Sequence, residues 1–128
     1  MPKRPLVAIV DDDESTRETT KDLLESAGLA AITFASGPLF LKSRRLKDVS
    51  CLVVDMRMPE MTGLELQQHL VAANRPIPTI LITAHPDEDL RRQAIKSNVI
   101  CCLAKPFAAD MLLACIRRAL ESRRSRTG

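Results

Sequence analysis

Residues 51–66 read CLVVDMRMPEMTGLEL. Leu52–Val54 is a short apolar run that ends on Asp55, and a polar stretch containing Pro59 follows. After Gly63 the apolar positions Leu64, Leu66, Leu70 and Val71 take up helical spacing. A short run with little polar alternation suits a strand buried on both faces of a parallel sheet. The segment therefore reads as strand, turn and helix, with a carboxylate at the strand's end.

The same unit recurs on both sides of it. Further apolar runs lie at Leu6–Val10, Ala30–Phe34, Thr79–Ile82 and Val99–Leu103. Between the runs lie amphipathic stretches. Thr16, Thr20, Leu23, Leu24 and Ala27 share one helical face, and Gly28 supplies a stop. The spacing predicts a shorter helix over Leu39–Leu46, another from Asp87 to Ser97, and a last one from Phe107 to Ser122. In the last, Met111, Leu112, Cys115, Ile116 and Ala119 face inward. Strands alternating with helices imply an α/β fold with a parallel sheet covered on both faces. Right-handed crossovers point to a doubly wound, flavodoxin-like (βα)5 architecture with strand order 2-1-3-4-5.

The fourth helix differs from the others. Its apolar residues are Leu90, Ala94 and Ile95; Asp87, Glu88 and Asp89 crowd its start, and Arg91, Arg92 and Lys96 follow. That charge order suits the helix dipole. With so little apolar surface to bury, it is expected to be the most weakly anchored helix.

The chain has 128 residues, enough for one domain and not two. Hydrophobic residues make up 45% and charged residues 27%, the balance of a globular chain. No apolar run approaches the roughly 20 residues that cross a bilayer, and no signal peptide is legible, so a cytoplasmic location is expected. With three Phe and neither Trp nor Tyr, the chain lacks platforms for stacking on single-stranded nucleic acid. The net charge of +3 is concentrated at the end: residues 117–128 hold five Arg against one Glu. That cluster reads either as a nucleic-acid or membrane contact or, as expected here, as a solvated helix end whose cations the helix dipole favours. The expected organisation is one domain over 1–122 and a basic tail, or the start of a linker, over 123–128. Cys51, Cys101, Cys102 and Cys115 include no C-x-x-C pair, and His69 and His85 are not at ligand spacing, so free reduced thiols are expected.

Polar residues gather at the strand ends. The first strand ends in Asp11-Asp12-Asp13, the third in Asp55, the fourth in Thr83 and the fifth near Lys105-Pro106. In open α/β sheets the ligand site lies at that edge. Each residue alone has a structural explanation: the acidic triplet as a helix N-cap, Asp55 as a turn residue, Thr83 as a cap, Lys105 as a surface lysine. Together they describe a crevice in which carboxylates repel one another unless a cation neutralises them. Oxygen-only donors select a hard cation, Mg²⁺ in a cell. A Lys and a Thr beside that cation would cradle an anion, and phosphate is the obvious one.

In IVDDDES (9–15), VVDMRMPEMTGLEL (53–66), ILITA (80–84) and LAKPF (103–107), the chain resembles the receiver domain of two-component response regulators over about residues 4–122. The D-x-R-M-P and Lys-Pro-Phe stretches look most like the FixJ-like branch. The resemblance implies that Asp55 is the phosphoacceptor for a histidine kinase's phosphohistidine. It implies Mg²⁺ held by Asp12, by Asp11 through water, by Asp55 and by the backbone carbonyl of Arg57. It implies that Lys105 pairs with a phosphoryl oxygen, that Thr83 hydrogen-bonds the acyl phosphate, that Ala84 stays small to admit it, and that Lys105-Pro106 is a cis peptide. By the same resemblance the protein is a switch and not a turnover enzyme. The surface of the fourth helix and fifth strand would switch, with homodimerisation as one outcome. DNA would be met only through an output domain outside this chain, for control of transcription. Two features depart from the family pattern. Cys102 stands where most receivers carry an aromatic switch residue, and Ser97-Asn98 stands where Gly-Ala usually ends the fourth helix, Asn being expected to take the left-handed conformation of a stop. Two other readings use the same residues: a phosphorylation-independent pseudo-receiver, and a haloacid-dehalogenase-type phosphatase in which Asp11 and Asp13 stand at the first and third acidic positions.

Overall fold

The computed structural model describes residues 4–127, with side chains to Ser122. Five strands, β1 (Leu6–Val10), β2 (Ala30–Phe34), β3 (Val49–Asp55), β4 (Thr79–Thr83) and β5 (Val99–Ala104), lie parallel in the order β2-β1-β3-β4-β5. This is the expected topology. Five helices connect and follow them: α1 (Glu14–Ser26), α2 (Gly37–Leu41), α3 (Gly63–Ala72), α4 (Glu88–Lys96) and α5 (Ala109–Thr127). Alternate strand residues feed two cores. Val7, Ile9, Val53, Ile80 and Ile82 pack with Leu24 of α1 and with Leu112 and Ile116 of α5. Ala8, Val10, Leu52, Val54 and Leu81 pack with Phe40 of α2, Leu66 and Leu70 of α3, and Leu90 of α4. Covered on both faces, the central strands have no solvent side, which is why their sequences lack polar alternation.

Several local expectations are corrected. In place of one helix over Leu39–Leu46, α2 covers Gly37–Leu41 and a separate 3₁₀ turn covers Leu46–Asp48. The Ser36 hydroxyl accepts from the Leu39 N–H at 3.3 Å and starts the helix early. The Ser43 hydroxyl accepts from the Arg45 N–H at 3.0 Å, a local bond that competes with helix continuation. Helix α4 does not end on a left-handed Asn98. Ser97 is already extended (φ −105°, ψ −170°), and the Asn98 carbonyl accepts from Thr79 as the chain enters β5. The left-handed asparagine is Asn74 (φ 60°), which ends α3 with paired bonds from Asn74 to the Val71 carbonyl and from Arg75 to the Leu70 carbonyl. Gly28 (φ 86°) ends α1 as expected. Met111 is 56% exposed, where the helical face places it inward, and Ile95 of α4 is 80% exposed. That leaves α4 with Leu90 and Ala94 as its buried residues. Helix α5 runs to Thr127, and the predicted basic tail over 123–128 falls on side chains outside the described residues.

Register places the site. Val10 is opposite Val54, Asp55 opposite Ile82, and Thr83 opposite Ala104. The residues that end or follow β1, β3, β4 and β5 therefore emerge on one edge: Asp11, Asp55, Thr83 and Lys105. The Met56 N–H donates to the Ile82 carbonyl at 2.7 Å and the Lys105 N–H to the Thr83 carbonyl at 2.9 Å, extending the ladders to that edge. The loop after Asp55 folds back so closely that a Cβ on Gly63 would lie 2.7 Å from the Asp55 carbonyl oxygen and 2.7 Å from Leu81 Cδ1. Gly63→Ala is therefore expected to lower unfolding stability by ~1–3 kcal/mol, the usual cost of overpacking. A urea titration checks this, and an unchanged midpoint would show that the loop can move away freely.

Candidate phosphoryl-acceptor site

Each side chain at the edge is delivered by the end of a strand. Asp11 leaves β1 with its backbone N–H bonded to the Phe34 carbonyl at 3.1 Å. Its Oδ1 accepts from the Asp13 N–H at 2.9 Å, and Arg17 Nη1 holds its carbonyl at 2.8 Å. Asp13 caps α1: its carboxylate accepts from the Thr16 N–H at 3.0 Å and from the Thr16 hydroxyl. The acidic triplet thus divides its work. Asp13 serves the helix, and Asp11 and Asp12 remain for the crevice. At the opposite wall a capping box closes the start of α3. The Thr62 hydroxyl accepts from the Glu65 N–H at 3.1 Å, and Glu65 Oε1 accepts from the Thr62 N–H at 2.9 Å.

Asp11, Asp12 and Asp55 can each place one carboxylate oxygen within 4.8 Å of the others. Lys105 Nζ lies 3.4 Å from Asp55 Oδ2 and 3.9 Å from Asp11 Oδ2. One ammonium faces three carboxylates, so the cluster is short of positive charge. Asp11 is 5% exposed. Burial raises its pKa above the ordinary 3.8; the Asp13 N–H lowers it, Asp55 raises it, Lys105 lowers it and Asp12 raises it. Such an oxygen-only donor set fits a hard divalent cation, which Asp11, Asp12 and Asp55 would hold together with water. Among the described residues, this is the group of His, Cys, Asp and Glu side chains close enough to hold a metal ion.

Four of the remaining predicted residues, Arg57, Thr83, Ala84 and Pro106, lie at strand ends or just beyond them. Thr83 is buried, and its hydroxyl accepts from the His85 N–H at 3.1 Å. Ala84 and Arg57 are exposed at the rim. The Lys105-Pro106 peptide is cis. Cys102 is half-buried and packs against the core on the α3 and α4 side, so the atypical thiol does occupy an inward position beneath α4. Arg17, which anchors the Asp11 backbone, carries no sequence signal. The capping box does: Thr62-x-x-Glu65 is readable as such. Away from the acidic edge, a cleft of about 440 Å³ lies between α3 and the α4–β5 turn, lined in part by Gln67, Lys96 and Asn98. Gln67 is 1% exposed, and among the described residues its side-chain amide has no hydrogen-bond partner.

Comparison with known proteins agrees with this geometry. The family model of the response regulator receiver domain matches residues 7–117. The response regulator protein TodT of Pseudomonas putida is 37% identical over 116 residues, covering 91% of this chain and 51% of that protein. The transcriptional regulatory protein FixJ of Azorhizobium caulinodans is 38% identical over 120 residues, covering 94% of this chain and 57% of FixJ. The chain thus spans little more than half the length of these relatives. Among solved structures, the response regulator StyR superposes with a TM-score of 0.90 at 43% identity, covering 98% of this chain and 63% of that one. The FixJ-N crystal structure superposes with a TM-score of 0.83 at 34% identity, covering 94% of this chain and 96% of that one.

The buried carboxylate makes a prediction about pH. Because the folded-state pKa of Asp11 is raised, its ionisation opposes folding, and the penalty is full above that raised value. Asp11→Asn should therefore be more resistant to urea than the wild type at pH 7 without divalent cations. The advantage should fade as pH falls through the raised value towards 3.8, where the unfolded carboxyl also protonates. Urea midpoints measured from pH 7 to pH 4 test this, and an equal or lower midpoint for the variant at pH 7 contradicts it.

Proposed function

From the premise that the chain belongs to the response regulator receiver domain family of two-component systems, we propose that Asp55 accepts a phosphoryl group from a cognate histidine kinase. The observation that carries this reading is the placement of the Lys105 ammonium 3.4 Å from Asp55, within a set of three converging carboxylates. Asp55 ends β3, and its carboxylate is the nucleophile. Asp11, Asp12 and Asp55, with the Arg57 carbonyl, would hold Mg²⁺. The cation supplies charge neutralisation for the transferring phosphoryl group. Lys105 binds a phosphoryl oxygen from the other side. Exposed Ala84 leaves the approach open. Thr83 gives up the His85 N–H and turns its hydroxyl towards the acyl phosphate. The chain acts as an acceptor that promotes its own labelling and hydrolysis, not as a turnover enzyme. With Asp13 engaged as the α1 cap, the phosphatase reading lacks a free second acid.

The output belongs to α4 and β5. Helix α4 buries only Leu90 and Ala94, so a small bias in free energy moves its population. Half-buried Cys102 sits where the family's aromatic usually couples threonine to this surface, and a smaller side chain makes the two states less sharply separated. Phosphorylation is proposed to raise dimer content through this face in part. It would control transcription through an output domain, as the name of the relative FixJ suggests. No described helix is long and apolar enough to cross a membrane, which fits the proposed cytoplasmic site of action.

Acetyl phosphate with Mg²⁺ should add one phosphate to the wild-type chain, read by intact-mass spectrometry. Asp55→Asn should take none, since a neutral amide is a poor nucleophile. Asp12→Ala should lose the Mg²⁺-dependent labelling. Modification persisting in Asp55→Asn, or undiminished labelling of Asp12→Ala, would overturn the assignment.

A further inference from the structure

Outside the acidic edge, a second group of reactive side chains converges on the opposite face of β5. Cys101 of β5 is half-buried and points into the core shared with α5, where Cys115 and Cys51 also lie. Arg118 stands three residues beyond Cys115, so both occupy one face of α5. Arg118 Nη1 reaches Cys101 Sγ at 3.8 Å. Cys115 belongs to the same core cluster that Cys101 packs against, so two sulfurs from different elements share the space between β5 and α5. Their environments differ. Reactive thiols are half-exposed beside a cation, whereas thiols enclosed by apolar side chains are inert. Cys101, under exposed Arg118, has the first environment. Cys51, with no exposed surface, has the second, and burial pushes its thiol up to about 12.

We propose that Cys101 and Cys115 form a peroxide-oxidisable pair, in which Cys101 is the attacking sulfur and Cys115 the resolving one. The oxidant is a hydroperoxide. Cys101 sulfur attacks the terminal peroxide oxygen, the O–O bond breaks, and Cys101 becomes a sulfenic acid while the other oxygen leaves as water or an alcohol. Cys115 sulfur then attacks the sulfenic sulfur. The S–O bond breaks, water leaves with the Cys115 proton, and a disulfide joins β5 to α5. Two thiols lose two electrons and two protons, and the peroxide gains them. The order of roles follows from burial: Cys115 is more enclosed than Cys101, and burial, with the neighbouring Cys101, pushes its thiol up. It reacts once a sulfenic acid stands in contact with it. The bond would tie the last helix to the strand that leads to Lys105, giving the domain a covalent state independent of Asp55.

The test is hydrogen peroxide treatment of the intact chain, followed by non-reducing mass spectrometry and peptide mapping. The expected result is loss of two hydrogen atoms, restored by a thiol reductant, with the cross-link joining the peptides that carry Cys101 and Cys115. Mapping on the wild type needs no variant to fold. In Cys115→Ser, Cys101 should accumulate as a sulfenic acid trapped by a cyclic dione. In Cys101→Ser the cross-link should be lost, while Cys102→Ser should form it as the wild type does. A cross-link that involves Cys102 or Cys51, or oxidation of Cys101 to a sulfinic acid with no cross-link in the wild type, would overturn the proposal.

Discussion

Like-charge repulsion at one edge of a parallel sheet is the constraint around which this domain is arranged. Parallel strands deliver their carboxyl ends to a common rim, and here the rim collects Asp11, Asp12 and Asp55 within 4.8 Å. Folding such a cluster costs free energy, which Lys105 offsets in part through contacts with two of the three acids. The surrounding structure keeps the cluster from spreading. Arg17 and the Asp13 N–H hold Asp11 at both its carbonyl and its carboxylate. Gly63 lets the loop press against the Asp55 carbonyl. The capping box at Thr62 and Glu65 fixes the start of α3 beside it. What remains is a deficit of positive charge, which a divalent cation relieves and an added phosphoryl group deepens.

Under the proposed function, the same arrangement would make the α4–β5 side of the sheet responsive. Thr83 ends β4 and the Lys105 N–H bonds its carbonyl, so a change at the rim reaches β5 through one hydrogen bond. Beyond β4, α4 is held by Leu90 and Ala94 while Ile95 lies in solvent. A helix with two buried residues contributes little to global stability and can shift without unfolding the core. The strongly packed elements, β1, β3, α5 and their neighbours, provide the fixed frame. The acidic site stands on that frame, and the weakly anchored α4 stands beside it.

Most of the architecture was legible in the sequence because each strand is a short apolar run and each is followed by a turn signal or a helix. The acidic site was legible for the same reason: Asp11, Asp55, Thr83 and Lys105 end or directly follow strands, so predicting the strands aligns them. Details set by tertiary contact were not legible. Periodicity groups Ile95 with Leu90 and Ala94, and Met111 with Leu112, but cannot decide which member of an apolar pair meets the core. It misses Gln67, a polar side chain inside α3's buried face. Helix α2 ends early through a single serine hydroxyl, and Asn74 rather than Asn98 takes the left-handed turn. That Cys101 and Cys115 share one core depends on how α5 lies across β5, which spacing along the chain does not state.

The cluster of three carboxylates at the rim is proposed to bind a divalent cation. The most direct test of this is the dependence of unfolding free energy on Mg²⁺ at pH 7. The wild-type chain should gain about 1.4 kcal/mol when free Mg²⁺ exceeds its dissociation constant tenfold, as linkage requires of a ligand that binds only the folded state. Asp12→Asn and Asp55→Asn should each gain much less at the same concentration. No gain in the wild type, or an equal gain in the variants, would contradict the claim that these carboxylates form a cation site.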